Sequence, residues 1–153
     1  MALQSQTNLP PRILVVEDDN FIRQLSTESL ILCGYQVDAA EDGAAGWEAL
    51  NIRDYDLLIT DNNIPKLSGF ELAKKLDAAH MTLPVILMTE TPPTEELKRH
   101  PWLQIDATLL KPFTIEKLLG TVLKVLRATD EAREQITPRP NWQSQLAAAG
   151  LRV

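Results

Sequence analysis

Five short apolar segments alternate with segments of helical spacing, and this alternation most restricts how the chain can fold. Most of the apolar segments are rich in valine, isoleucine and leucine, which is typical of buried strands. They cover residues 13–16, 35–40, 57–60, 85–89 and 107–110. A strand followed by a helix five times in succession predicts an α/β fold, in which a parallel sheet carries helices on both faces.

The first helical segment begins near Asn20 and is predicted to end at Gly34, because glycine commonly follows the last turn of a helix. Apolar and small residues at helical spacing define the face that we expect to point inward. They are Ile22, Leu25, Ser29, Leu32 and Cys33. Cys33 is therefore predicted to be a small core residue. As the only cysteine it excludes an internal disulfide and fits a reducing compartment.

Size and charge narrow the class of protein further. The chain has 153 residues, 44% of them hydrophobic, which suits one domain with a buried core. Its net charge of −6 argues against nucleic acid or an anionic membrane as the main partner. No apolar run approaches the ~18 residues of a transmembrane helix, and the start does not resemble a secretory signal. We therefore expect a cytoplasmic domain over residues 12–128, between a flexible leader (1–11) and a helix extension with a tail (129–153).

Polar residues follow four of the five predicted strands. Glu17 and Asp18 end the first, Asp61 the third, Thr89 the fourth and Lys111 the fifth. Ligands of open parallel sheets bind beyond the carboxyl ends of the strands, where the strand order reverses. If the first and third strands are neighbours, three carboxylates therefore converge on one small volume.

Carboxylates that close together repel one another unless a cation neutralises them. Oxygen ligands with room for water suit Mg²⁺, which favours one or two carboxylates together with phosphate oxygens. Lys111 and Thr89 supply an ammonium and a hydroxyl on the opposite side, which completes a pocket for a phosphoryl group. One carboxylate is left as the nucleophile, and its product is an aspartyl phosphate. Asp61 as a mere turn former, and Glu17, Asp18 and Asp19 as a charge cluster at a helix start, are the structural alternatives.

Four motifs in this order resemble the receiver domain of two-component response regulators, over about Arg12 to Ala128. They are ILVVEDD at 13–19, LLITDNNIPKLSG at 57–69, PVILMT at 84–89 and LLKPF at 109–113. Pro65 and Gly69 stand where that family has its loop proline and glycine. The resemblance implies a doubly wound, flavodoxin-like sheet of five parallel strands in the order 2-1-3-4-5.

The same resemblance implies a role for each site residue. Asp61 is the phosphoacceptor, and Mg²⁺ is bound by Asp18 directly, by Glu17 mainly through water and by the backbone carbonyl of Asn63. Thr89 is the switch hydroxyl that hydrogen-bonds the phosphoryl group. Lys111 pairs with a phosphoryl oxygen, and its bond to Pro112 is usually cis in the family.

Two positions near the site depart from the family pattern. Glu90 follows the switch hydroxyl, where the family usually has a small residue, so we expect it to border the access route to Asp61. Thr108 stands three residues before the lysine, where the family usually has a tyrosine or phenylalanine that moves inward on activation. The core site positions are all kept, so these departures concern how a signal leaves the domain.

The sequence therefore predicts a stand-alone response regulator rather than an enzyme. It is expected to accept a phosphoryl group from a sensor histidine kinase or a histidine phosphotransfer protein, with Mg²⁺, and to signal through a downstream protein partner. A phosphorylation-independent receiver-like adaptor is the main alternative. A Mg²⁺-dependent phosphatase is disfavoured, because such enzymes usually carry a second aspartate where this chain has Asn63.

Overall fold

The computed structural model of the protein describes residues 9–136, with side chains as far as residue 132. Most of the predicted leader and the predicted tail beyond residue 136 lie outside these residues. Within them, no helix combines the length and the apolar character that a membrane span requires.

Five parallel strands form one sheet in the order β2-β1-β3-β4-β5, as the resemblance implied. The strands are β1 (Arg12–Val16), β2 (Gln36–Ala40), β3 (Leu57–Asp61), β4 (Val85–Thr89) and β5 (Ala107–Leu110). The helices are α1 (Asn20–Leu32), α2 (Gly43–Ile52), α3 (Gly69–Ala78), α4 (Thr94–Arg99) and α5 (Ile115–Ile136). The predicted alternation of strands and helices is confirmed, and α5 continues past residue 128 without a break.

The core lies on both faces of the sheet because successive strand side chains point to opposite sides. Ile13 and Val15 of β1 belong to a buried cluster with Leu118 and Val122 of α5. Leu14 and Val16 belong to a second cluster, which includes Leu50 of α2 and Leu72 of α3. Strands that are covered on both sides read as unbroken apolar runs, which is why the sequence marks them so clearly.

Side-chain caps mark the start of four helices, and at α5 the hydroxyl of Thr114 accepts from the Lys117 amide at 3.1 Å. Asp19 accepts a hydrogen bond from the Ile22 amide at 2.9 Å, and Asp42 accepts one from the Ala45 amide at 2.8 Å. Ser68 and Glu71 form a reciprocal capping box at the start of α3. The caps set the directions in which α1, α2 and α3 leave the loops at the carboxyl end of the sheet.

The inward face predicted for α1 is wrong at three of its five residues, and the other two are half-buried. Ser26 and Leu30 are the buried residues of this helix, whereas Leu32 is 88% exposed and Leu25 is 40% exposed. Cys33 is exposed and is not a core residue. The error arises because the apolar side chains of α1 are divided between the core and the protein surface, so the apolar stripe does not mark the buried face.

Candidate functional site

The carboxyl ends of β1 and β3 form a crevice, because the chain leaves these neighbouring strands toward opposite edges of the sheet. Glu17 and Asp18 directly follow β1, and Asp61 is the last residue of β3. Thr89 ends β4, and Lys111 follows β5. Four strands therefore deliver the predicted site residues to the same end of the sheet.

Three carboxylates meet in this crevice. Glu17, Asp18 and Asp61 each offer an oxygen within 4.8 Å of the others. Glu17 and Asp61 are buried, and Asp18 is exposed at the mouth. An all-oxygen set with one open side fits a hard divalent cation that keeps several water ligands, such as Mg²⁺.

Lys111 is the cation that faces the buried carboxylates. Its ammonium lies 2.5 Å from Oε1 of Glu17 and 2.7 Å from Oδ2 of Asp61. The amide of Lys111 also donates to the carbonyl of Thr89 at 2.8 Å, which ties the residue to the end of β4. The Lys111–Pro112 peptide is cis. Lys111 thus joins the side chain of Glu17, which follows β1, to that of Asp61, which ends β3.

The environment changes the pKa of Glu17, Asp61 and Lys111. Burial, reinforced by the hydrogen bond with Asp61, raises the pKa of Glu17 to about 7. Burial alone would raise the pKa of Asp61, but its hydrogen bonds with Glu17 and Lys111 outweigh that effect and hold it below its usual value. Burial opposes the charge of Lys111, yet the two carboxylates raise its pKa above the ordinary range. Near neutral pH the group therefore keeps Asp61 ionised and lets Glu17 take up or release a proton.

Arg23 supports the loop between β1 and α1. Its guanidinium donates to the carbonyl of Glu17 at 2.8 Å and to that of Asp18 at 3.4 Å. The amide of Asp18 donates in turn to Oε2 of Glu17 at 3.0 Å. Arg23 was not predicted as a site residue, because nothing in its spacing shows that one turn of α1 brings its guanidinium back to this loop.

The loop between β3 and α3 is held close to Asp61. The amide of Asn63 donates to Oδ1 of Asp61 at 3.0 Å, and Asn62 accepts a hydrogen bond from the Phe70 amide at 3.0 Å. A side chain at Gly69 would place its Cβ only 2.6 Å from the carbonyl oxygen of Asp61. Glycine is required at 69 by this close approach of α3 to β3. The anchoring role of Asn62 was also missed, since an asparagine after a strand indicates no more than a turn.

Thr89 is buried, and its hydroxyl forms its hydrogen bonds with a residue of its own loop. The hydroxyl donates to the carbonyl of Thr91 at 2.9 Å and accepts from the amide of Thr91 at 3.2 Å. The structure therefore brings Thr89 to the crevice but does not join it to Asp61.

Glu90 and Thr108 lie in different grooves. Glu90 and Lys111 line a cavity of about 540 Å³ whose other walls are mainly apolar. Those walls include Phe21, Leu25, Pro112, Phe113 and Ile115. Thr108 lines a separate groove of about 310 Å³ between β5 and α5, together with Thr121 and Lys124. Glu90 thus borders the space next to Lys111, and its place on the access route to Asp61 stays a prediction.

Comparison with known proteins identifies the family. A sequence profile described as the response regulator receiver domain matches residues 13–123. The chain belongs to the response regulator receiver domain family. Receiver domains are phosphoacceptor signalling domains that bind Mg²⁺ in an acidic pocket and are phosphorylated by histidine kinases or phosphotransfer proteins.

Individual relatives agree with this assignment. The transcriptional regulatory protein CusR of Escherichia coli is 32% identical over 116 residues, which are 76% of this receiver chain and 51% of CusR. The chain spans about half the length of the curated relatives it matches. The Francisella response regulator 1452 receiver domain superposes with a TM-score of 0.71 at 29% identity, covering 78% of this chain and 98% of that one. The chemotaxis response regulator CheY4 of Vibrio cholerae superposes with a TM-score of 0.69 at 29% identity, covering 76% of this chain and 98% of that one.

Proposed function

We propose that Asp61 accepts a phosphoryl group from the phosphohistidine of a sensor histidine kinase or a histidine phosphotransfer protein. The observation that carries this proposal is the position of Asp61, which lies close to the other two carboxylates and 2.7 Å from the ammonium of Lys111. The low pKa of Asp61 keeps it ionised, and an ionised carboxylate is the form that attacks phosphorus.

The transfer exchanges one bond for another. A carboxylate oxygen of Asp61 forms a bond to phosphorus as the phosphorus–nitrogen bond of the donor breaks, and the bond's electron pair leaves with the imidazole. Asp18, Asp61 and the carbonyl of Asn63 would hold Mg²⁺, with Glu17 mainly through water, and the cation would neutralise charge on the phosphoryl oxygens. Lys111 donates to another phosphoryl oxygen, for which it gives up one of its present carboxylate contacts.

The output of the domain is proposed to be a change in affinity for a protein partner. For Thr89 to donate to the phosphoryl group, its hydroxyl must leave the carbonyl of Thr91. The segment from 89 to 94 then takes a new arrangement, which shifts the population of states that a partner recognises. Action without an attached output domain and a cytoplasmic location stay predictions from the sequence. The phosphorylation-independent adaptor stays the alternative function.

Intact-mass spectrometry after incubation with acetyl phosphate or phosphoramidate tests the proposal. We expect a gain of one phosphoryl group with Mg²⁺, none with EDTA, and none in Asp61→Asn. Asp19→Asn is the matched control, because Asp19 only caps α1 and asparagine caps equally well. Undiminished labelling of Asp61→Asn, or no labelling of the wild-type protein by any donor, contradicts the proposal.

A further inference from the structure

The loop that follows Asp61 contains an unusually tight turn at Pro65–Lys66–Leu67. The amide of Leu67 donates to the carbonyl of Pro65 at 2.8 Å, so the hydrogen bond spans a single residue. Lys66, the residue between them, has a φ of 71°. A γ-turn with positive φ at a residue other than glycine is rare and strained, so it persists only where its surroundings hold it.

The start of α2 holds this turn from outside. The amide of Gly43 donates to the carbonyl of Pro65 at 3.1 Å. A Cβ atom on Gly43 would lie 1.9 Å from the carbonyl oxygen of Leu67, where ordinary contacts are 3.4 Å or longer. Asp42 adds an ion pair with Lys66, at 3.3 Å between its Oδ2 and the ammonium. The backbone of the turn thus rests directly on the backbone of α2.

The backbone of Lys66 contributes more to this arrangement than its charge does. The side chain of Lys66 is 67% exposed, and ion pairs that are so exposed contribute little. The hydrogen bonds of Pro65 and the contact at Gly43, in contrast, depend on the left-handed conformation at position 66.

The turn is connected to the phosphorylation site through very few residues. Only the buried Ile64 separates Asn63 from Pro65, and the amide of Asn63 donates to Asp61. A displacement of the turn therefore reaches both Asn63 and the carboxylate that it orients. The two ends of the loop are fixed as well, by the hydrogen bond of Asn62 at its start and by the close packing of Gly69 at its end.

We propose that Lys66 is a positioning residue for the metal and phosphoryl site, acting through its left-handed backbone, which the start of α2 holds in place, and not through its ammonium group. This inference rests on the proposed function, because it assigns the loop the task of placing Asp61 and the carbonyl of Asn63 around a bound cation.

Substitutions at position 66 separate the backbone from the charge. Lys66→Gly removes the charge and adopts positive φ freely, whereas Lys66→Val removes the same charge and disfavours positive φ. Lys66→Ala is a milder second variant, in case Lys66→Val does not fold. Gly43→Ala pushes on the turn from the other side, and Gly120→Ala is its control, because nothing lies within 4 Å of a Cβ at that position.

The decisive measurement is Mn²⁺ binding to the full chain without any phosphoryl donor, followed by the electron paramagnetic resonance of the free ion. Circular dichroism first establishes that each variant is folded. We expect Lys66→Gly and Gly120→Ala to bind Mn²⁺ within about twofold of wild type, and Lys66→Val and Gly43→Ala to bind about fivefold more weakly or worse. Lys66→Ala is expected to fall between Lys66→Gly and Lys66→Val.

Equal affinities of Lys66→Gly and Lys66→Val overturn the proposal, and so does an unchanged affinity in Gly43→Ala. Weak binding by Lys66→Gly assigns the effect to the ammonium and overturns it as well. A wild-type protein that binds Mn²⁺ but never becomes phosphorylated contradicts the proposed function alone, since the comparison at position 66 is still decided by binding.

Discussion

The ammonium of Lys111 lies 2.7 Å from Oδ2 of Asp61, although the two residues are 50 positions apart and β4 runs between their strands. The same ammonium contacts Glu17, so one cation serves two buried carboxylates. The three groups form one electrostatic unit in which the charge of each depends on the other two. Changes to any one of them should therefore show a pH dependence that a surface ion pair lacks.

Lys111→Met removes the cation and leaves Glu17 and Asp61 facing each other. We expect the free energy of unfolding to fall by about 3 kcal/mol above neutral pH, as is typical when one partner of a buried ion pair is lost. The loss should shrink toward about pH 5, because Glu17 then takes up a proton. Urea unfolding at both pH values measures this.

Lys66→Met is the control for Lys111→Met, since it deletes an exposed ion pair and should cost less than about 1 kcal/mol. Equal losses in the two variants would show that Lys111 is not a buried partner.

Glu17→Gln should stabilise the protein without metal in a pH-dependent way. The folded-state pKa of Glu17 is about 7, against an ordinary value of 4.5, so folding favours the protonated form. Stability of the wild type is therefore highest below the ordinary pKa and declines as pH rises toward 7, above which the full penalty applies. The variant has no such penalty and should gain about 3 kcal/mol over wild type at about pH 8, and nothing near pH 4.

Mg²⁺ should narrow the difference between these two proteins, because added metal stabilises the wild type more than Glu17→Gln, which lacks one of the three carboxylates. Thermal unfolding with and without Mg²⁺ checks both statements, with Glu48→Gln, an exposed site, as the control. A gain that is the same at both pH values would contradict the explanation.

Glu90 should slow phosphorylation by small anionic donors. At ~6–8 Å and an effective dielectric of about 20–80, its repulsion of a donor charge is roughly 0.5–3 kcal/mol. We expect Glu90→Gln and Glu90→Ala to be phosphorylated several-fold faster by acetyl phosphate, with a difference that shrinks as salt rises. Glu95→Gln removes an exposed acid of α4 and serves as the control.

The two Glu90 variants also distinguish charge from bulk, because glutamine keeps the size of the side chain. A rate in both variants that is no higher than in wild type would mean that Glu90 points away from incoming donors.

Phosphorylation should change the 89–94 segment more than the surroundings of Thr108. A threonine cannot fill and vacate a pocket of the size of an aromatic ring, and Thr108 lies in the groove beside α5. The hydroxyl of Thr89, in contrast, must break its bond to Thr91 to reach a phosphoryl group. Amide hydrogen exchange with and without beryllofluoride tests this, and a large change confined to β5 would contradict it.

The sequence was sufficient for the sheet and for the residues at the ends of its strands. Strands buried on both faces are continuous apolar runs, and the grouping of Glu17, Asp18, Asp61 and Lys111 follows from where those runs end. The buried face of α1 could not be predicted in this way, because Leu25 and Leu32 are apolar but exposed, whereas Ser26 is buried.

Contacts between loops could not be predicted from the sequence either. The approach of Leu67 to Gly43 depends on the paths of two loops that are 24 positions apart, and no pattern in either loop encodes the distance between them. The contacts of Arg23 with this loop are made to backbone carbonyls, which carry no sequence signal.

The position of β5 at the edge of the sheet has a consequence for when the site is assembled. Glu17 and Lys111 are 94 positions apart, and Lys111 reaches the crevice only when β5 has joined β4. A nascent or partly folded chain that already displays Asp61 therefore lacks its ammonium partner. We therefore expect the complete site to exist only in molecules whose fifth strand has joined the sheet.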